Sequence, residues 1–141
     1  MKRMPIIRLP TPQAYQPRVT RFNEPFWRAL ERGDLTTTRC VKCGEATFPP
    51  KPICPRCWAS HLEWTSISPV GVIYSYTVVH AAPAIFEAEA PYPVGIIDLE
   101  GGLRIALRLL DQPDRLKVGL AGTVATVLYT NGPYFGFKLD E

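Results

Sequence analysis

The second half of the chain has the alternation of apolar and less apolar positions that is typical of β-strands. From residue 70 to residue 78, every second residue is valine or tyrosine, which places these side chains on one face of a strand. Four further strand-like segments follow, separated by turn signals such as Gly101-Gly102. The predicted strands span residues 70–78, 93–99, 103–109, 123–129 and 135–139. Such an arrangement predicts a small antiparallel barrel of the OB type, which removes exposed strand edges by closing on itself.

Residues 1–34 have a different pattern. Four prolines lie in the first twenty residues with almost no apolar periodicity between them, so we expect an arm that is extended or mobile until something binds it. An amphipathic helix of about three turns is predicted next, with Asn23 as its cap, Pro25 in its first turn and Gly33 at its end. Its apolar face consists of Phe22, Phe26, Trp27 and Leu30. This face packs either on the chain's own core or on a partner, and the sequence leaves both alternatives open.

The cysteines carry the clearest chemical signal. All four occur in two Cys-x-x-Cys pairs with ten residues between the pairs, namely Cys40, Cys43, Cys54 and Cys57. This spacing directs two sulfurs from each of two tight turns to one centre and predicts a tetrahedral Zn²⁺ site. Disulfides are disfavoured by the lack of a secretion signal, and a redox dithiol would need only one pair. A closed site of four thiolates leaves no position for substrate, so we expect one structural zinc ion per chain.

The two cysteine pairs differ in the residue that follows them. Gly44 follows the first pair and can adopt the positive φ that turns backbone N–H groups toward the sulfurs. Trp58 follows the second pair. We therefore expect the second turn to be strained.

Charge is divided unevenly along the chain. The 141 residues carry a formal charge of +3, but residues 1–58 have a balance of +7 and residues 59–141 a balance of −4. Such polarity indicates that the two parts meet different partners. Four basic residues lie close to the cysteines in sequence, and about half of them are expected to do no more than offset the negative charge of a zinc tetrathiolate. They are Arg39, Lys42, Lys51 and Arg56.

The remaining features of the sequence argue against a membrane protein, a secreted protein and an enzyme active site. Apolar stretches fall far short of the roughly 20 residues that a membrane helix needs, and Pro5 stands where a secretory peptide would have an apolar region. We expect a cytoplasmic protein without a membrane partner. His61 and His80 have no nucleophile to serve, Glu87 and Glu89 suit a solvated loop, and no phosphate-binding or nucleophile-elbow motif is present. The sequence therefore nominates no catalytic residue.

Taken in order, several motifs resemble one known family. They are Phe26-Trp27-x-x-Leu30, Leu35-x-x-x-Arg39-Cys40-x-x-Cys43-Gly44, Phe48-Pro49-Pro50-Lys51-x-x-Cys54-Pro55-x-Cys57, Gly71-x-x-Tyr74-Ser75-Tyr76-Thr77 and Pro91-Tyr92. Across residues 22–129 this order is similar to the zinc-ribbon OB-fold proteins associated with acyl-CoA, long catalogued as a domain of unknown function. Trp58, at a position where the family often has glycine, and the short tail after residue 134 depart from the pattern.

The resemblance implies a mainly β protein with a helical segment, a rubredoxin-like zinc ribbon and an OB barrel, here at residues 1–34, 35–66 and 67–141. It further implies a non-catalytic accessory subunit that binds and stabilises a thiolase-like or other acyl-CoA-processing enzyme and contributes to its CoA site. Candidate contacts are Lys42, Lys51 and Arg56 for charge, and Phe26 and Trp27 for apolar surface. The alternative is a single-stranded nucleic-acid binder, which the negative charge of the barrel half disfavours.

Overall fold

The computed structural model describes residues 3–141, which form one short α-helix and nine β-strands. Strand β1 spans Ile6–Arg8, helix α1 spans Glu24–Glu31, and β2, β3 and β4 span Thr36–Cys40, Ala46–Thr47 and Leu62–Ser66. Strands β5 to β9 span Val70–Val79, Tyr92–Leu99, Arg104–Arg108, Ala121–Tyr129 and Gly132–Leu139. Short 3₁₀ turns lie at Ala84–Glu89 and Pro113–Arg115. Among residues 3–141, no helix has the length and apolar character needed to cross a membrane.

Strands β5 to β9 form the predicted OB-type barrel. They belong to a six-stranded sheet with the order β1-β8-β5-β6-β7, in which β9 pairs with β8. An isolated bridge between Leu109 and Phe137 joins β7 to β9, and the N–H of Leu110 donates to the carbonyl of Phe137 at 2.8 Å. The last strand begins at Gly132, three residues earlier than expected. The five predicted strands and the mainly β fold class are confirmed.

A bulge divides the long first barrel strand. The pairing of β5 with β6 shifts its register between Ile73 and Ser75, which leaves Tyr74 without a partner in the ladder. Before the bulge, Gly71 and Ile73 face the core, whereas Val72 and Tyr74 are exposed. The bulge therefore changes which side chains in the second half of the strand face outward.

The N-terminal arm is extended, and part of it pairs with the barrel. Strand β1 runs parallel to β8, with Ile6 opposite Thr126. This position is free because β5 pairs with β8 only at Val70–Val72 and leaves the rest of that edge of β8 open. The N–H of Thr126 donates to the carbonyl of Pro5 at 2.9 Å. A segment with prolines at its ends fits a short edge strand, because few of its own N–H groups are needed.

Helix α1 packs its apolar face on the chain's own core. Phe26, Ala29 and Leu30 are buried, and the hydroxyl of Thr126 donates to the carbonyl of Leu30 at 2.7 Å. The helix has eight residues, about two turns rather than three. The expectation that Asn23 caps it through its side chain was wrong: Asn23 Oδ1 accepts the N–H of Thr20 at 2.6 Å and stabilises the preceding turn instead.

A buried carboxylate fastens the end of the barrel. The side chain of Asp111 is 2% exposed, and one of its oxygens accepts the N–H of Leu139 at 2.8 Å. Lys138 Nζ and an Arg115 nitrogen reach the other oxygen at 3.4 and 3.3 Å. Asp111 therefore holds the last strand against the connection between β7 and β8.

We predict that Asp111→Ala lowers the free energy of unfolding by about 1–3 kcal/mol, because the buried N–H of Leu139 loses its acceptor. Asp114→Ala, which removes an exposed carboxylate three residues further along, should change it by less than about 0.5 kcal/mol. Urea unfolding followed by circular dichroism measures both. Equal effects of the two substitutions would show that Asp111 does not fasten the barrel.

Candidate functional site

The four cysteines lie at one end of a three-stranded ribbon in which β2 is central, between β3 and β4. The first cysteine pair begins at the last residue of β2, Cys40, and the second pair lies between β3 and β4. The side chain of Thr38 in β2 fixes the connecting loop, because its hydroxyl donates to the carbonyl of Lys51 at 3.0 Å and accepts its N–H at 2.9 Å. The hydroxyl of Thr37 donates to the carbonyl of Thr47. These threonines thus position the second cysteine pair.

The four sulfurs converge on one centre. Sγ of Cys40 lies 3.5 Å from that of Cys57, Sγ of Cys43 lies 3.6 Å from that of Cys54, and all four lie within 4.8 Å of one another. The cysteines are free thiols rather than disulfides. A tetrahedron with metal–sulfur bonds of about 2.3 Å has edges of about 3.8 Å. The sulfur positions therefore fit a tetrahedral thiophilic metal ion.

The electrostatics of the cluster also fit a divalent cation. The N–H of Cys43 approaches Sγ of Cys40 at 3.5 Å and lowers the pKa of Cys40 to about 7. The N–H groups of Cys57 and Arg56 lower the pKa of Cys54. At Cys43 the N–H of Glu45 favours the thiolate, but desolvation and the neighbouring sulfurs outweigh it and raise the pKa to about 12. A cation is therefore needed to hold the Cys43 sulfur as a thiolate at neutral pH.

The two cysteine turns share one backbone geometry. The N–H of Gly44 donates to the carbonyl of Cys40, and the N–H of Trp58 donates to the carbonyl of Cys54, both at 2.9 Å. Gly44 has φ of +79° and Trp58 has φ of +66°. Because a non-glycine residue is disfavoured in this left-handed region, the second turn is strained. The structure thus confirms the difference that the sequence predicts between the two turns.

The predicted basic contacts occupy different positions around the cluster. Lys42 and Arg56 lie inside the two cysteine turns and are exposed, whereas Lys51 is half-buried in the loop that Thr38 holds. Arg39 donates to the carbonyl of Gly44 at 2.9 Å and supports the first turn. Lys42 and Arg56 are therefore exposed basic side chains within the two cysteine turns.

The two predicted aromatic contacts lie in the interior or at its margin. Phe26 is 4% exposed and packs in the core, so its side chain is not available for the direct contact that the sequence suggested. Trp27 is half-buried against Tyr134 and Phe135, and its buried indole N–H has no partner among residues 3–141. Phe48 from the ribbon packs on Phe26, with ring centroids 5.7 Å apart. The helix and the ribbon therefore meet through these rings.

Sequence reasoning missed the exposed apolar residues around the cluster. Trp58 is 79% exposed, Val41 is 52% exposed and Ile53 is 48% exposed. The sequence contained a signal for this surface. Val41 lies inside the first Cys-x-x-Cys pair and Ile53 precedes the second, and apolar residues are unusual in such exposed turns. We call Val41, Lys42, Ile53, Arg56 and Trp58 the knuckle surface.

We predict that Trp58→Gly raises the free energy of unfolding of the metal-loaded protein by about 1 kcal/mol, because glycine adopts this φ without strain. Gly44→Ala is the matched control in the other turn, where an added Cβ meets nothing within 4 Å. It should lower the same quantity by about 1 kcal/mol through φ strain alone. Urea unfolding measures both, and a loss of stability in Trp58→Gly would contradict the strain.

Comparisons with known proteins agree with this geometry. The rubredoxin-like zinc ribbon domain of ChsH2 matches residues 27–63, and the C-terminal OB-fold domain of ChsH2 matches residues 64–127. A DUF35 domain-containing scaffold protein from Methanocaldococcus jannaschii is 41% identical over 97 residues, which cover 67% of this chain and 69% of that protein. Benzoylsuccinyl-CoA thiolase subunit BbsA from Thauera aromatica is 34% identical over 105 residues, 72% of each chain.

One solved structure has a closely similar fold. A chain of the Ltp2-ChsH2(DUF35) aldolase superposes with a TM-score of 0.74 at 26% identity, covering 88% of this chain and 98% of that chain. These matches confirm the resemblance that the motifs indicate. The chain belongs to the DUF35 family, whose members combine a zinc ribbon with an OB-fold domain.

Proposed function

We propose that this scaffold-type chain is a non-catalytic subunit that binds and stabilises an acyl-CoA-processing enzyme, such as a thiolase-like enzyme, and adds basic residues to its CoA site. Relatives support the assignment, since one is named as a scaffold protein, one as a thiolase subunit, and one solved structure as an aldolase that includes a DUF35 chain. The observation that carries the proposal is the knuckle surface of this chain.

One residue of the knuckle surface, Trp58, contributes little to the stability of the fold. Trp58 holds a left-handed backbone conformation, although its side chain is 79% exposed and buries little apolar area. Such strain costs about 1 kcal/mol or more and is typical of functional positions. A large exposed aromatic side chain of this kind is the residue type that most often dominates a protein interface. Trp58 therefore serves a contact outside the chain.

The neighbours of Trp58 suit an interface beside a CoA site. Val41 and Ile53 extend the apolar area, and Lys42 and Arg56 add positive charge next to it. Lys51 and Trp27 lie at the margins of the ribbon and helix as further candidate contacts. CoA offers phosphates for the basic side chains and a long neutral chain for the apolar ones. The knuckle surface carries both kinds of side chain.

A single structural Zn²⁺ held by Cys40, Cys43, Cys54 and Cys57 completes the proposal. When bound, the ion joins the two cysteine turns with four sulfur bonds and leaves no position for substrate. Because both turns carry residues of the knuckle surface, their relative placement depends on this centre. The chain itself supplies no acid, base or nucleophile to the reaction in this scheme.

We expect a tagged full-length chain to recover an acyl-CoA-processing enzyme from the native host under gentle conditions, identified by mass spectrometry. Trp58→Gly should weaken the binding of the recovered enzyme by about tenfold or more while the chain stays folded. Val118→Ala, at an exposed apolar position in the connection between β7 and β8, is the control and should bind as the wild type does. Recovery of the wild-type chain alone would contradict the proposed function.

The zinc centre gives a separate prediction. Cys40→Ser combined with Cys43→Ser should reduce the zinc content from about one ion per chain to near zero, because two of four thiolates are lost. The melting temperature should fall as the ribbon loosens. Plasma mass spectrometry and thermal melting measure these effects, with Ser60→Ala at an exposed ribbon position as the control. Unchanged metal content and melting in the double variant would contradict a structural zinc site.

A further inference from the structure

The barrel carries a concave feature that involves no residue of the ribbon. It is a groove of about 780 Å³ bounded by the arm at residues 13–17, the turn at Ala84–Glu89 and parts of strands β5 to β9. Pockets for small molecules in proteins have volumes of roughly 300–1,000 Å³. The groove therefore has the size of a ligand site.

One wall of the groove is the outer face of the β5-β6-β7 sheet. Two rows of side chains cross this face, because each strand's residues lie opposite those of the next. One row is Ser75, Ile96 and Ala106, and the other is Thr77, Val94 and Arg108. The adjacent residues Ile97 and Ile105 point into the core. The bulge at Tyr74 is what brings Ser75 and Thr77 onto this face.

The charges inside the groove cancel. Arg108 is paired with Glu89, and its guanidinium stacks on Tyr92 at 4.0 Å and near Phe86 at 5.7 Å from the ring centroids. Among residues 3–141, Glu89 and Arg108 are the only charged residues that line the groove. Burial, reinforced by Glu89, raises the pKa of Tyr129, and this phenol, which is neutral at physiological pH in any case, is a hydrogen-bond donor. The groove therefore offers aromatic faces and neutral polar groups around a compensated ion pair.

The arm closes the groove on the side of β8 and β9. The N–H of Gln13 donates to Asn131 Oδ1 at 3.0 Å, and Gln16 Nε2 donates to the carbonyl of Asn131 at 2.6 Å. These bonds fasten the arm to the turn between β8 and β9, where Tyr134 also lines the groove. Because the arm forms this wall, the groove is bounded on that side and is not simply an open face of the sheet.

We infer that this groove binds an uncharged, largely apolar small molecule that contains a ring. Its aromatic walls favour stacking, and its cancelled charges give an anion no uncompensated partner. A nucleic-acid strand needs a positive track beside its stacking residues, which one paired arginine does not supply. This binding is independent of the knuckle surface and of any partner enzyme.

Two dyes with related ring systems test the inference on the full-length zinc-loaded chain. Phenyl-naphthylamine is uncharged, and anilinonaphthalene sulfonate carries one negative charge. Fluorescence titration should show saturable binding of the uncharged dye at one site per chain, about tenfold tighter than the sulfonate. Absence of saturable binding by the uncharged dye would overturn the inference.

Substitutions within and outside the groove locate the site. Ala106→Trp fills the floor of the groove and should weaken binding of the uncharged dye by about tenfold or more. Val72→Trp is the matched control, since Val72 is exposed on the same face of β5 but does not line the groove. Thr77→Trp is a second filling variant, on β5 at the other side of β6, for use if circular dichroism shows that Ala106→Trp is misfolded. Equal binding to filled and control variants would overturn the inference.

The charge balance has its own readout. Glu89→Gln leaves Arg108 without its carboxylate, so the sulfonate dye should bind about tenfold more tightly while the uncharged dye changes by less than about twofold. A dye bound to an unrelated apolar patch would not respond to this substitution. An unchanged affinity for the sulfonate would therefore place the dye elsewhere and overturn the assignment.

Discussion

Three phenylalanine rings, one from each part of the chain, hold the molecule together. Phe26 from the helix, Phe48 from the ribbon and Phe135 from the barrel pack edge to face, with ring centroids 5.7, 5.7 and 5.9 Å apart. Each pair of rings contributes about 0.5–1.5 kcal/mol beyond the burial of its area. Neither a ribbon of short strands nor a helix of eight residues has a sufficient core alone. The triangle of rings supplies a core that all three parts share.

This shared core determines which surfaces remain for function. The aromatic face of the helix packs on the other two phenylalanine rings and on the barrel. There the hydroxyl of Thr126 also donates a hydrogen bond to the carbonyl of Leu30. The exposed apolar residues of the ribbon are consequently those of its far end, around the cysteines. The positive balance of residues 1–58 and the negative balance of residues 59–141 follow the same division. A basic ribbon surface and a charge-compensated barrel groove are suited to different ligands.

The barrel strands and the cysteine cluster could be predicted from the sequence, because each depends on the spacing of residues that are close together along the chain. The period of two predicted the barrel strands, and the spacing of Cys40, Cys43, Cys54 and Cys57 predicted the convergence of the sulfurs. Strand β1 escaped detection because it has no periodicity and exists only where β8 has a free edge. The role of Thr38 and the ring contacts of Phe48 with Phe135 depend on residues far apart in sequence. The groove could not be predicted from the sequence either, because its walls come from the arm, five strands and one turn, which are far apart along the chain.

The strain at Trp58 bears on how the two cysteine turns differ. Both turns make the same backbone hydrogen bond, so their sulfurs need the same left-handed residue after the pair. Glycine meets that need in the first turn, and a Cβ there would meet no atom within 4 Å. Selection for stability alone would favour glycine in the second turn as well. A tryptophan that is mostly exposed at this position therefore reflects a requirement of the surface rather than of the metal site, and the convergence of the sulfurs supplies the rigidity that keeps the disfavoured conformation in place.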